Sequence, residues 1–466
     1  MKRTIIFLAT TAALAVGTGP ARADADGAAA RLDRIRGDHA KVLQFLQDMP
    51  KGSDLHMHLS GAIYAESLVS YGAADGICVN TVTLASAYPP CGDNQVPLST
   101  VPANTTLYNR VISAWSMRGF TPSVESGHDH FFATFDLFGA TLGGTRTGDG
   151  LAQITARAQD QAEQYVEPMF GAAFSANRKV ATQVGYTSDF ALMRQKMIDA
   201  GLFDAMPSAT AYAQSVLDRR AALQRCGTPN AQDACDVAVR FDAQILRNQL
   251  PEVVFAQLAF AFELLKRDRN FVGLNMVQQE DGIFSLRDYR LHMRMIQYLR
   301  TLYPGTKVTL HAGELWPGIA PPQDLRFHIR AAVNTAAAQR IGHGVDLRWE
   351  RHPKALMNTM VEDGTCVEIN LTSNRQILGV SGKKHPIRDY WENGVRIVLS
   401  TDDEGVSRTD LTHQYQQAVD DHGFGYKDLK KIARNGLRCS FLPKTEKQKA
   451  LATQRAMFQT FEAKFE

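Results

Sequence analysis

Two histidines stand one residue apart in SDLHMHLSG, Ser53 to Gly61, in a chain of 466 residues that holds only 13. If the stretch is a strand, side chains alternate across it, so His56 and His58 project from one face. Two imidazoles aimed at one point are metal-ligand chemistry, although an isolated H-x-H is more often an ordinary strand. Three further stretches end an apolar run with reactive groups: His311 and Glu314 in TLHAGE, His343 in RIGHG, and Asp402 and Asp403 in LSTDDEG. Each has a plain structural reading by itself; STDD before a helix, for example, is an N-cap with an acidic first turn. Their meaning depends on what brings them together.

The positioning elements are legible as alternating patterns. Eight short apolar or β-branched runs read as strands: SDLHMHL, QYVEPMF, DVAVRFDAQI, FVGLNMV, KVTLHAG, QRIGHGV, CVEINLT and VRIVLST. Amphipathic segments such as PEVVFAQLAFAFELLKRD separate most of them. Strand and helix in alternation imply parallel strands, and eight repeats predict a closed (β/α)8 barrel. Such barrels place their chemistry at the C-terminal ends of the strands, where His56, His58, His311, Glu314, His343, Asp402 and Asp403 all fall. Nitrogen and oxygen donors of this kind suit a divalent first-row metal, most often zinc. His56, His58, His311 and Asp402 are the expected ligands, with a water completing the shell. Glu314, just past its strand, is placed to move a proton.

Residues 28–49 have helical spacing closed by Pro50, and long insertions are expected at 59–164 and 171–234. Lys2 and Arg3 precede an apolar run, Ile5 to Val16, that ends near Ala21-Arg22-Ala23. This reads as a cleaved export signal, 1–23, ahead of a single barrel domain, 24–466. A periplasmic or secreted location is therefore expected. Removing 1–23 takes three basic residues and no acidic one, which brings the formal charge from +3 to zero. A neutral chain with no further long apolar run gives no reason to expect nucleic acid or membrane as a partner. In an exported chain, Cys78 with Cys91 and Cys226 with Cys235 are expected to close short loops. Cys366 and Cys439, in apolar segments, are expected as buried thiols. Oligomeric state is open.

MPKGSDLHMHLSGA, LHAGE, RIGHG, INLTSN and HPIRDYWENGVRIVLSTDD, in this order, resemble the adenosine deaminase family of metal-dependent amidohydrolases. The resemblance implies a (β/α)8 barrel holding one zinc ion that hydrolyses the 6-amino group from a purine, adenosine giving inosine and ammonia, in purine salvage. It implies His56, His58, His311 and Asp402 as zinc ligands and Glu314 as proton donor to purine N1. His343 and Asp403 become partners of the attacking oxygen, and Asp403 a substrate contact. The first insertion is similar in placement to the family's helical cap. Its Phe131, Phe132 and Phe135 are expected either as a pocket wall or as helix core.

Three departures bear on substrate. Ser60 stands where many family members have an aspartate in position to meet a ribose hydroxyl, and Gln278 where the family commonly has a glycine near the purine. Glu404 replaces the usual proline after the paired aspartates. Adenosine and 2'-deoxyadenosine are the expected substrates. Adenine or an N6-substituted purine, or a non-catalytic role like that of the adenosine deaminase-related growth factors, are the alternatives.

Overall fold

The computed structural model describes residues 25–465; the expected export signal lies outside the described residues. Eight parallel strands run in chain order: β1 (Gly52–His58), β2 (Glu163–Phe170), β3 (Phe241–Leu246), β4 (Phe271–Val277), β5 (Thr309–Ala312), β6 (Arg340–His343), β7 (Cys366–Ile369) and β8 (Arg396–Leu399). They form two four-stranded parallel arrays, β1 to β4 and β5 to β8. The arrays meet at two parallel bridges, Leu274 with Val308 and Met57 with Asp402. At the second seam the amide of His58 donates to the Asp402 carbonyl at 2.9 Å and that of Asp402 to the His56 carbonyl at 2.9 Å. The buried Asp54 carboxylate reinforces it, accepting from the His56 amide and from both the amide and hydroxyl of Thr401. The seam therefore ties the two histidines of β1 directly to the aspartates after β8.

All eight expected strands are present. The third is shorter than expected: Ala238–Val239 pairs separately with β2, and the strand beside β4 starts at Phe241. The N-terminal helix is two helices, Ala25–Ile35 and His39–Asp48. Gly37 is a poor helix former, and the side chain of Asp38 accepts from the Lys41 amide and starts a new helix. The first insertion folds as helices around a three-stranded antiparallel sheet, Cys78–Asn80 with Ser86–Ala87 and Gln95–Pro97. The second contains three helices, Phe174–Val184, Phe190–Asp199 and Met206–Leu223.

The barrel interior is not wholly apolar. Arg340 of β6 reaches Glu167 of β2 at 2.5 Å, Asp242 of β3 at 2.9 Å and Glu368 of β7 at 2.5 Å, all buried. One guanidinium thus joins four strands across the axis. Desolvation offsets much of the attraction in such a network, but removing one member strands the others and costs roughly 3–5 kcal/mol. The disulfides Cys78–Cys91 and Cys226–Cys235 are as expected. Cys366 and Cys439 are not thiols: the start of β7 and the end of the Tyr426–Cys439 helix meet at the bottom of the barrel, their Cα atoms 6.3 Å apart, and the two residues are bonded. Their separation of 73 residues hid the pairing.

Candidate metal centre and pocket

His56, His58, His311 and Asp402 converge. His311 Nε2 lies 3.1 Å from His56 Nε2 and 3.2 Å from His58 Nε2, and Asp402 Oδ1 lies 3.4 and 3.2 Å from the same two nitrogens. Ligands at about 2.0–2.1 Å on the corners of a tetrahedron stand about 3.3 Å apart, so the four atoms already have the spacing of one shell.

Proton positions make the same point. His56 Nδ1 lies 2.7 Å from Glu368 Oε2, which only accepts, so Nδ1 carries the hydrogen. The His311 amide donates to Asn275 Oδ1 at 3.1 Å, which fixes that atom as the carbonyl oxygen, and His311 Nδ1 must donate to it at 2.9 Å. In their neutral forms both rings therefore present Nε2 lone pairs to each other, a repulsive arrangement that a cation between them relieves. Without a cation the charge falls on His56: burial lowers its pKa, but Asp402 and Glu368 outweigh burial and push it up to about 10. The residues fit a single divalent ion.

Glu314, His343 and Asp403 surround this point. Burial and the neighbouring Asp402 carboxylate hold both Glu314 and Asp403 well above the usual carboxylate range. His343 is wholly buried behind the donor set, its Nε2 3.9 Å from Asp402 Oδ2 and its Nδ1 3.7 Å from Glu314 Oε1. Gly61 makes Asp403's place possible, since a Cβ there would lie 1.7 Å from Asp403 Oδ1. Gly342 does the same for His56, whose Cε1 would be 2.5 Å from an added Cβ. His343 and Asp402 have left-handed φ angles of 68° and 65°, strain of about 1–3 kcal/mol each that recurs at functional sites.

A cavity of about 320 Å³ opens above the centre, lined by His58, His311, Glu314, Asp402 and Asp403 on the metal side. Ser60, Phe132, Phe135 and Gln278 line it too, so the structure brings every expected substrate contact to one cavity. The helix Gly127–Phe138 supplies Phe132 and Phe135 together with Phe131, which is both buried core and pocket wall. Gln278 holds φ at 80°, a conformation that costs glycine nothing, and its side-chain oxygen accepts from the Asn248 amide at 2.9 Å. Glu404 is buried and accepts from Arg157 at 2.8 Å.

Several supporting residues have no motif of their own. Glu280 accepts from the amides of Gly313 and Glu314 and from His328, pinning the backbone under Glu314. Arg247 donates to the carbonyls of Gln278 and His311 and so joins the ends of β3, β4 and β5. Glu368 and Asn275 orient His56 and His311. A charged residue in the middle of the apolar CVEINLT strand was the one available signal, for Glu368; the others acquire meaning only through tertiary placement.

The site is thus a parallel eight-stranded barrel that carries a set of metal-ligand side chains at its C-terminal mouth. The sequence model described as adenosine deaminase matches residues 210–454, more than half of the chain. The chain belongs to the adenosine deaminase family. Over 145 residues it is 35% identical to an adenosine deaminase of Escherichia coli strain SE11, a match covering 31% of this chain and 40% of that protein. It therefore spans well under two thirds of the curated relatives it matches. Its fold is similar to that of an N6-methyl-AMP deaminase from Arabidopsis thaliana, with a TM-score of 0.59, 17% identity and coverage of 89% and 98% of the two chains. It is also similar to an amidohydrolase from Burkholderia ambifaria with bound zinc, with a TM-score of 0.58, 18% identity and coverage of 91% and 94%.

Proposed function

We propose that this chain is an exported zinc deaminase that hydrolyses adenosine and 2'-deoxyadenosine to the inosine nucleosides and ammonia, serving purine salvage outside the cytoplasm. The observation that carries the reading is that His58, His311, Asp402, Glu314 and Asp403 line one cavity, with His56 and His343 buried directly behind them. Held by His56, His58, His311 and Asp402, zinc would lower the pKa of a water to about 7 and so supply a nucleophile at neutral pH. Glu314, kept protonated by burial, donates to the ring nitrogen beside the amine and makes the ring carbon electrophilic. His343 and Asp403 hold the attacking oxygen. Phe131, Phe132 and Phe135 cover the ring and exclude water.

The lining supports an uncharged nucleoside: among the described residues it contains no lysine or arginine, and Asp136 adds a carboxylate to it. The donors there, among them Ser60, Gln244 and Gln279, are neutral, so no cation offsets the charge of a 5'-phosphate. Three disulfides support export. The test is ammonia release from adenosine, 2'-deoxyadenosine, AMP, adenine and N6-methyladenosine, with and without a zinc chelator. Adenosine turnover that the chelator abolishes and zinc restores is expected, with AMP at least about 100-fold poorer. A tenfold preference for adenine, AMP or N6-methyladenosine would overturn the substrate. Absence of turnover by zinc-loaded protein would overturn the enzyme.

A further inference from the structure

We propose that His385, outside the cavity lining, acts through Asn374 to fix the tautomer of His343, so that His343 faces the reacting atoms as an N–H donor and not as a base. The inference rests on the deaminase reading for its catalytic meaning, but the hydrogen-bond logic stands on distances alone.

The chain starts from a group with one possible role. The backbone N–H of Ile387 can only donate, and it meets His385 Nδ1 at 3.1 Å. His385 Nδ1 therefore carries the lone pair, and the ring's proton sits on Nε2. That Nε2–H donates to Asn374 Oδ1 at 3.1 Å. With its oxygen so assigned, Asn374 turns its amide nitrogen to His343 Nδ1 at 2.8 Å, and an amide nitrogen only donates. His343 Nδ1 is then an acceptor, its ring is neutral, and its one ring proton lies on Nε2, the nitrogen nearer Asp402.

No neighbour overrides this assignment. Asn370 Nδ2 stands 3.4 and 3.5 Å from the two His343 nitrogens, nearly equidistant, and so selects neither. Glu314 Oε1, at 3.7 Å from Nδ1, is beyond hydrogen-bond reach. All three members of the relay are buried, so water does not compete for these positions.

The chemical consequence is a division of labour. An imidazole whose facing nitrogen already carries hydrogen cannot take a proton there; it orients a lone pair of the attacking oxygen. The other contact to the attacking oxygen falls to Asp403, whose Oδ1 is buried and without a partner among the described residues. His385 and Asn374 are positioning residues, acting on chemistry they do not touch.

Long-range ¹⁵N–¹H spectra of histidine-labelled full chain, metal-free and zinc-loaded, read the tautomer directly. An unprotonated Nδ1 and a protonated Nε2 on His343 are expected, and Asn374→Asp, which converts the donor into an acceptor, should move the proton to Nδ1. In parallel, His385→Ala should lower kcat for adenosine roughly 10- to 100-fold with KM within about twofold. His385→Gln, which can both accept from Ile387 and donate to Asn374, should restore most of the loss. A wild-type His343 protonated on Nδ1, or equal losses in the alanine and glutamine variants, would overturn the relay. If the spectra match but no purine is deaminated, the relay stands as structure and the deaminase reading fails.

Discussion

Replacing Gly61 with alanine should disable Asp403 while leaving the metal in place. The added Cβ would stand 1.7 Å from Asp403 Oδ1, 2.6 Å from Cγ and 2.9 Å from Cβ, where ordinary contact begins at 3.4 Å. The carboxylate oxygen must retreat by about 1.7 Å, or the seam between β1 and β8 must open. Misplacing a reacting group by about 1 Å costs on the order of 100-fold in rate, so kcat should fall by at least about 100-fold. Overpacking should also lower stability by about 1–3 kcal/mol. Asp402, the metal donor next door, makes no contact with the new methyl among the three nearest atoms. Zinc content should therefore stay at one per chain. Steady-state kinetics, metal analysis and urea unfolding separate these effects. A double-mutant cycle adds the sharpest check: in an Asp403→Ala background, Gly61→Ala should cost less than about threefold more, because the group it displaces is gone. Wild-type kcat in Gly61→Ala, or fully additive losses with Asp403→Ala, would refute the reasoning.

Glu368→Gln keeps the shape but removes the charge that orients His56, so zinc affinity should weaken roughly 10- to 100-fold in competition with a chromophoric chelator; unchanged affinity would contradict the role. Replacing Cys366 and Cys439 with serine frees a 73-residue loop. Chain entropy then predicts a loss of about 4 kcal/mol in guanidinium unfolding. His128, on the pocket-covering helix, bonds to Asp281 at 3.0 Å and Asp129 at 2.9 Å. Burial lowers its pKa, but these two carboxylates outweigh burial and push it up to about 9. A raised folded pKa means the clamp is fully present below about pH 6.5 and lost as pH rises through 9. Protection of the amides in residues 127–138, measured relative to their intrinsic exchange rate at each pH, should fall over that window, and His128→Ala should abolish that fall.

The barrel was legible because eight short apolar or β-branched runs alternate with amphipathic segments, and several of those runs end in polar or charged groups. The ligand set was legible because those ends fall at one mouth, an inference that needs topology but no coordinates. What escaped lacked local signature. The sheet around Cys78–Asn80 has strands of two or three residues, too short for any period. The break at Gly37 is one weak helix former inside an otherwise continuous pattern. Asn275, Glu280, Asn374 and His385 serve partners in distant segments, and the Cys366–Cys439 bond spans two elements that read as ordinary apolar runs. Gly61 was in view from the start, beside the two histidines, but its purpose lies in an aspartate more than 300 residues away.

Diffraction from crystals of active protein, collected on both sides of the zinc absorption edge, addresses the central claim most directly. One anomalous peak within about 2.0–2.2 Å of His56 Nε2, His58 Nε2, His311 Nε2 and Asp402 Oδ1 is the predicted result. An active crystal with no peak between those four atoms, or with its zinc bound elsewhere, would contradict the account.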